Sequence, residues 1–147
     1  MVNHLIGFHP SLSALVLRLV LAAVFIAHGR MKLFGNSPGP KGAAGYFAML
    51  GIPFPAFSAY VVGIVEFFGG VLLILGVTTR IVAALLAVDM LVALVRARFK
   101  TGLVTRPMEG GMVGGYEVEL MLFATSLVLV VFGAGKFSVD FQLFQLW

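Results

Sequence analysis

Residues 56–77 read AFSAYVVGIVEFFGGVLLILGV, twenty-two positions carrying a single charge, Glu66. A bilayer core about 30 Å thick is crossed by about 20 apolar helical residues, so this stretch reads as a membrane span. Three further runs pass the same test: about 11–34 (SLSALVLRLVLAAVFIAHGRMKLF), 79–98 (TRIVAALLAVDMLVALVRAR) and 115–132 (GYEVELMLFATSLVLVVF). The expected fold is therefore all-α, an integral membrane four-helix bundle, with residues 1–147 forming a single transmembrane domain. Composition points the same way. The chain has 147 residues, 61% hydrophobic and 11% charged, against roughly 45–50% and about 25% in soluble domains. A soluble fold of this size has too little interior to hide that much apolar surface. A disordered chain is excluded as well. The lack of cysteine excludes a disulfide-stapled module, thiol chemistry and a Cys-ligated metal. With three histidines, no metal site is expected.

The connections set the topology. Residues 35–55 (GNSPGPKGAAGYFAMLGIPFP) are dense in helix-breaking Gly and Pro, which ends the first helix at Phe34. Gly76 to Thr79 is a tight turn, so the second and third helices form an antiparallel hairpin. A glycine-rich segment, RPMEGGMVGG, precedes the fourth helix. No positively charged leader is expected, since the first basic residue is Arg18, and the first run is read as a retained span. Arg30, Lys32, Lys41, Arg96, Arg98, Lys100 and Arg106 fall on one face, Arg80 and Lys136 on the other. Positive-inside places the first and third loops in the cytoplasm and both termini outside. The net charge of +4 thus reads as topology, and nucleic-acid binding is not expected.

Ionisable groups inside spans are costly and usually face the bundle interior. Glu66 sits at mid-span and Asp89 at a similar depth in the third helix, while Arg18 lies about two turns into the first. One reading is structural: Arg18 reaches toward Glu66 or Asp89, and Arg80 snorkels to the surface. Glu66 also lies among Gly63, Gly69, Gly70 and Gly76. Bare glycine faces admit either a neighbouring helix or a flat ligand such as a quinone head group. A second constellation gathers at the opposite end of the first helix. His28 and Lys32 share a face at i, i+4, level with Glu117 and Glu119, which diverge by about 200° around their helix. A basic helix end beside an acidic helix start is ordinary topology, but an imidazole beside a carboxylate is also a proton-handling pair. The scattered Met49, Met90, Met108, Met112 and Met121 read as packing residues, and Tyr60 and Trp147 as interface anchors. GGMVGGYE is too short for a nucleotide-binding glycine loop.

HGRMKLFG, GIPFP, GIVEFFGGVLLILGVTTR, DMLVAL, GGYEVEL and GAGKFSVD, taken in order from about Ala14 to Asp140, resemble the DoxX family. The resemblance implies a four-helix bacterial or archaeal inner-membrane protein. Some relatives are associated with a thiosulfate:quinone oxidoreductase, others with oxidoreductase complexes tied to oxidative stress. The family's motifs fall on His28, Gly29, Lys32 and Leu33; on Glu66, Gly69 and Gly70; on Thr79 and Arg80; and on Gly114, Tyr116 and Glu117. The chain has no soluble domain for thiosulfate and no thiol or metal to oxidise it, so that activity needs another subunit.

Three readings follow. In the first, the chain is an integral membrane subunit of a quinone-linked redox complex, a possible oxidoreductase component. His28 and Glu66 then meet a quinone oxygen, Glu117 relays protons, Lys32 and Arg80 stabilise developing charge, and Gly69 and Gly70 flank the ring. Its expected partners are the bilayer and other membrane or peripheral redox subunits, with a homo-oligomer left open. In the second reading the chain is a non-catalytic accessory or scaffold subunit whose polar residues are packing pairs. The third, a small proton-coupled transporter, lacks an inverted repeat or a broken helix to support it.

Overall fold

The computed structural model describes residues 10–36, 39–99, 102–108 and 111–144. Lys100 and Trp147, assigned above to topology and to the interface, lie outside the described residues. The chain is mostly helical: α1 (Pro10–Phe34), α2 (Gly39–Met49), α3 (Pro55–Leu75), α4 (Thr79–Ala93), α5 (Glu117–Phe132) and a short α6 (Val139–Phe144). A π-helical turn, Leu94–Arg98, prolongs α4. Strands β1 (Arg106–Met108) and β2 (Gly111–Val113) form a small antiparallel hairpin, with Arg106 opposite Val113. The four expected runs therefore correspond to α1, α3, α4 with its π turn, and α5.

Two of these helices, over 11–34 and 55–75, are long and apolar enough to cross a membrane. The other two are shorter as regular helix. The 16 residues of α5 rise about 24 Å at 1.5 Å each. The first connection is also more than a break. Its centre, GPKGAAGYFAM, forms α2, because alanines and aromatics between the flanking glycines and prolines supply one helical stretch of their own.

Glycines set how closely the helices approach. Gly63 packs on Lys32 and Leu33 of α1, and Gly70 on Ala22 and Ile26 of the same helix. The two are seven residues apart, so they share one face of α3. Gly69 points elsewhere, toward Val82 and Leu86 of α4. The core is apolar and centred on Leu21, Phe25, Leu73, Leu86 and Leu129, each fully buried.

At one end of the helices, a buried polar knot closes the chain. Arg18 is 0% exposed. Its Nε donates to the Leu73 carbonyl (2.7 Å) and Nη2 to Ile74 (2.8 Å), while Nη1 donates to Ala134 (2.9 Å) and Phe137 (2.8 Å). Arg18 therefore does not reach toward Glu66 or Asp89, which corrects the structural reading above. Its donors go to carbonyls of the last turn of α3 and of the chain after α5, where helix ends leave acceptors short of partners. Gly76 ends α3 at φ 68°, with its amide donating to Leu72 (2.8 Å). A side chain there would also collide with the Arg18 guanidinium. Thr78 follows at φ 48°, and α4 begins without a cap from its own sequence. Asp140 supplies one: Oδ1 accepts from the Thr78 amide (2.7 Å) and Oδ2 from Thr79 (2.8 Å).

Candidate functional site

Away from that knot, the helices leave a cavity of about 370 Å³. Residues from α1 to α5 line it, including Phe47 and Leu50 of α2, Val62 and Val65 of α3, and Met90 of α4. The lining is overwhelmingly apolar, and the volume falls in the range of about 300–1,000 Å³ typical of small-molecule sites. Against that wall stand His28, Lys32, Glu66, Asp89, Arg96 and Glu119. The π turn contributes Arg96 and Ala97 to the rim; such irregular turns are frequent at functional sites.

The central contact joins α1 to α3. Lys32 Nζ lies 2.6 Å from Oε1 and 2.5 Å from Oε2 of Glu66. The carboxylate is 1% exposed and the lysine 23%. Lys32, expected at the membrane border with His28, thus reaches the group expected at mid-span, because Gly63 lets its Cβ lie against α3. Asp89 completes the group from α4, within hydrogen-bonding reach of Glu66. Its Oδ2 is buried, with no hydrogen-bond partner among the described residues.

The other candidates separate into distinct surroundings. His28 is exposed on the cavity rim, and its carboxylate neighbour is Glu119, close enough to act on it electrostatically. Glu117, one of the two diverging acids, turns the other way. It accepts from the Thr105 amide (3.0 Å) and hydroxyl (2.5 Å), fastening the loop before α5. Gly69 and Gly70 are covered by α4 and α1, so neighbouring helices take the space considered for a flat ring. Arg80, nine residues before Asp89, lies about 13 Å away along α4, at the end holding Arg18. There it donates to the Val130 carbonyl at 3.1 Å. Tyr116 stacks on Phe99 with ring centroids 6.4 Å apart.

Sequence reasoning left Asp89 among the structural residues and missed the contributions of α2 and Arg96. For Asp89 the signal was present. Glu66 lies ten residues before Gly76 and Asp89 ten after Thr79, so a tight antiparallel hairpin brings them level. For α2 and Arg96 no such symmetry was available.

The DoxX family model matches residues 13–98, which cover α1 from Ser13 onward, α2 to α4 and the Lys32–Glu66–Asp89 group. The chain belongs to the DoxX family of membrane proteins. Three relatives align over most of their length. "Putative oxidoreductase CatD" of Bacillus subtilis is 30% identical over 88% of this chain and 85% of the relative. An uncharacterized membrane protein of Mycobacterium tuberculosis is 31% identical over 89% and 81%. An uncharacterized protein of Haemophilus influenzae is 32% identical over 97% and 98%. No solved structure matches the chain.

Proposed function

We propose that the chain is an integral membrane subunit of a quinone-linked redox complex, and that the cavity takes the quinone head group. The observation that carries this reading is the cavity itself. An apolar cavity of about 370 Å³ holds the Lys32–Glu66 ion pair and Asp89 on its wall, with His28, Arg96 and Glu119 also lining it, which suits a lipophilic molecule with a hydrogen-bonding oxygen at its head. In this reading Glu66, Lys32 and His28 orient that head. Gly69, Gly70, Arg80 and Glu117 support the helices and the loop around it. The name of the Bacillus relative, an oxidoreductase, agrees with the class. The chain offers no electron-transfer centre among its described residues, so a partner subunit supplies the electrons.

The same proposal has α1, α3, α4 with its π turn, and α5 crossing the membrane as a four-helix bundle. Support comes from an inside-out distribution. Arg18, Glu66, Thr79 and Ser126 are buried, while Ile81, Val88, Val131 and Phe132 stand more than half exposed on α4 and α5. Such apolar faces need lipid or protein to cover them. The bilayer is then the cytoplasmic membrane of a bacterium or archaeon, with the first and third loops inside.

The test is binding of ubiquinone and menaquinone analogues to the purified protein in lipid nanodiscs, compared with Glu66→Gln. Tight binding that weakens in the variant is expected; equal binding by both removes Glu66 from the site. One observation favours the accessory-subunit reading instead. The glycine faces of α3 are filled from within the chain, so close packing alone accounts for them. A complex that co-purifies and keeps full activity with His28 and Glu66 both neutralised supports that alternative.

A further inference from the structure

Three carboxyls line the cavity; Glu119, from α5, faces His28 at the rim, and the other two, Glu66 and Asp89, differ in what they have left to offer. Both oxygens of Glu66 are engaged by Lys32, and the side chain is sealed at 1% exposure. Asp89 is only partly buried on the same wall, and one of its oxygens has no partner. A buried oxygen without a partner is rare in folded proteins and calls for an explanation. The terminal torsion of an aspartate is soft, so a small rotation presents either oxygen to the cavity. Leu85, Val88 and Val92 flank Asp89 on the exposed face of α4 and also line the cavity. An apolar molecule arriving from the side of the helices therefore meets Asp89 first.

We propose that Asp89 is the ligand-facing carboxyl of the cavity, hydrogen-bonding the oxygen of a lipophilic ligand, and that Glu66, clamped by Lys32, is its positioning residue. This rests on the quinone reading only for the identity of the ligand. Glu66 fixes Asp89 from α3 through the contact between the two side chains, and Lys32 holds Glu66 from α1. Three helices thus aim one free oxygen. The arrangement needs no charge change at Glu66 when the ligand binds.

Dicyclohexylcarbodiimide, a lipophilic reagent that adds to carboxyl groups in apolar surroundings, separates the two roles. The full chain in lipid nanodiscs is treated with it and digested, and the modified residue is identified by mass spectrometry. The adduct is expected on Asp89, with Glu66 spared. Labelling of Asp89 should change in rate in Glu66→Gln and stay unchanged in Asp140→Asn, at the far end of the helices. An adduct on Glu66 in place of Asp89, or on neither, overturns the proposal. Decylubiquinone at about ten times its Kd should slow the labelling roughly tenfold by occupancy. Labelling of Asp89 that neither decylubiquinone nor a menaquinone analogue slows overturns the quinone reading, while leaving Asp89 as the group that meets an apolar ligand.

Discussion

Gly29 and Phe67 meet backbone to backbone, so closely that a methyl group on Gly29 would collide with the Phe67 amide and lie 2.8 Å from the Gly63 carbonyl. Gly29 is three residues from Lys32, and Phe67 is adjacent to Glu66. The contact therefore sets the helix separation across which the ion pair closes. Overpacking of this kind costs about 1–3 kcal/mol, and here the obstacle is backbone, which cannot swing aside. Gly29→Ala is expected to lower the thermal unfolding midpoint and weaken quinone-analogue binding together. Gly45→Ala, where nothing lies within 4 Å of the added methyl, serves as the control: inside α2 it should not lower the midpoint, since Ala is the better helix former, and should leave binding unchanged.

Breaking the ion pair from either side should cost stability. Exposed pairs contribute at most about 1 kcal/mol, whereas removing one partner of a fully buried pair costs about 3–5 kcal/mol. With Glu66 sealed and Lys32 at 23% exposure, an intermediate loss of about 2 kcal/mol is expected for Lys32→Met. The double variant Lys32→Met with Glu66→Leu should recover most of that loss, because no orphaned charge remains. Unfolding in detergent across the four proteins gives the coupling; strictly additive losses would show that the two residues do not interact.

The Arg18 side chain joins α1, the end of α3 and the segment after α5. Hydrogen bonds from a charged donor contribute about 1.5–3 kcal/mol each, and four are made here. Arg18→Gln cannot span the same carbonyls. The expected result is a loss of at least about 3 kcal/mol, with proteolytic cleavage appearing between Ala134 and Asp140. A protection pattern identical to the parent protein would contradict it.

Asp140 acts as a helix cap delivered from a distant segment. Loss of a capping side chain costs about 0.5–2 kcal/mol. Asp140→Ala should fall in that range and speed hydrogen exchange at the Thr78 and Thr79 amides, its two partners. Quinone-analogue binding should be unaffected, since the cavity lies at the other end of the helices. A loss of binding without a change in exchange would reverse this assignment.

The sequence made α1, α3, α4 with its π turn, and α5 legible because each is a long apolar run, and their ends fall within a few residues of those expected, whereas α2 and α6 carry no such signal. The Gly63–Gly70 face was readable for the same reason, as a fixed seven-residue spacing. Which neighbour covers each glycine was not. Gly69 and Gly70 are adjacent in sequence yet serve different helices, because successive residues turn about 100° around the axis. Polar partners were harder still. Arg18 finds backbone carbonyls, and no pattern of side-chain types announces a carbonyl. Glu117 and Glu119 were correctly expected to diverge, but the loop threonine that holds Glu117 became visible only with the chain folded back on itself.

The knot around Arg18 also imposes an order on biosynthesis. Its partners Ala134 and Phe137 lie 116 and 119 residues further along the chain. At about 5–20 residues per second, they emerge from the ribosome roughly 6 to 24 s after Arg18 itself. Throughout that interval a guanidinium waits inside an apolar helix with at least half its acceptors unmade, since Leu73 and Ile74 follow it by 55 and 56 residues. A nascent chain stopped anywhere before Phe137 carries that charge with its acceptors incomplete.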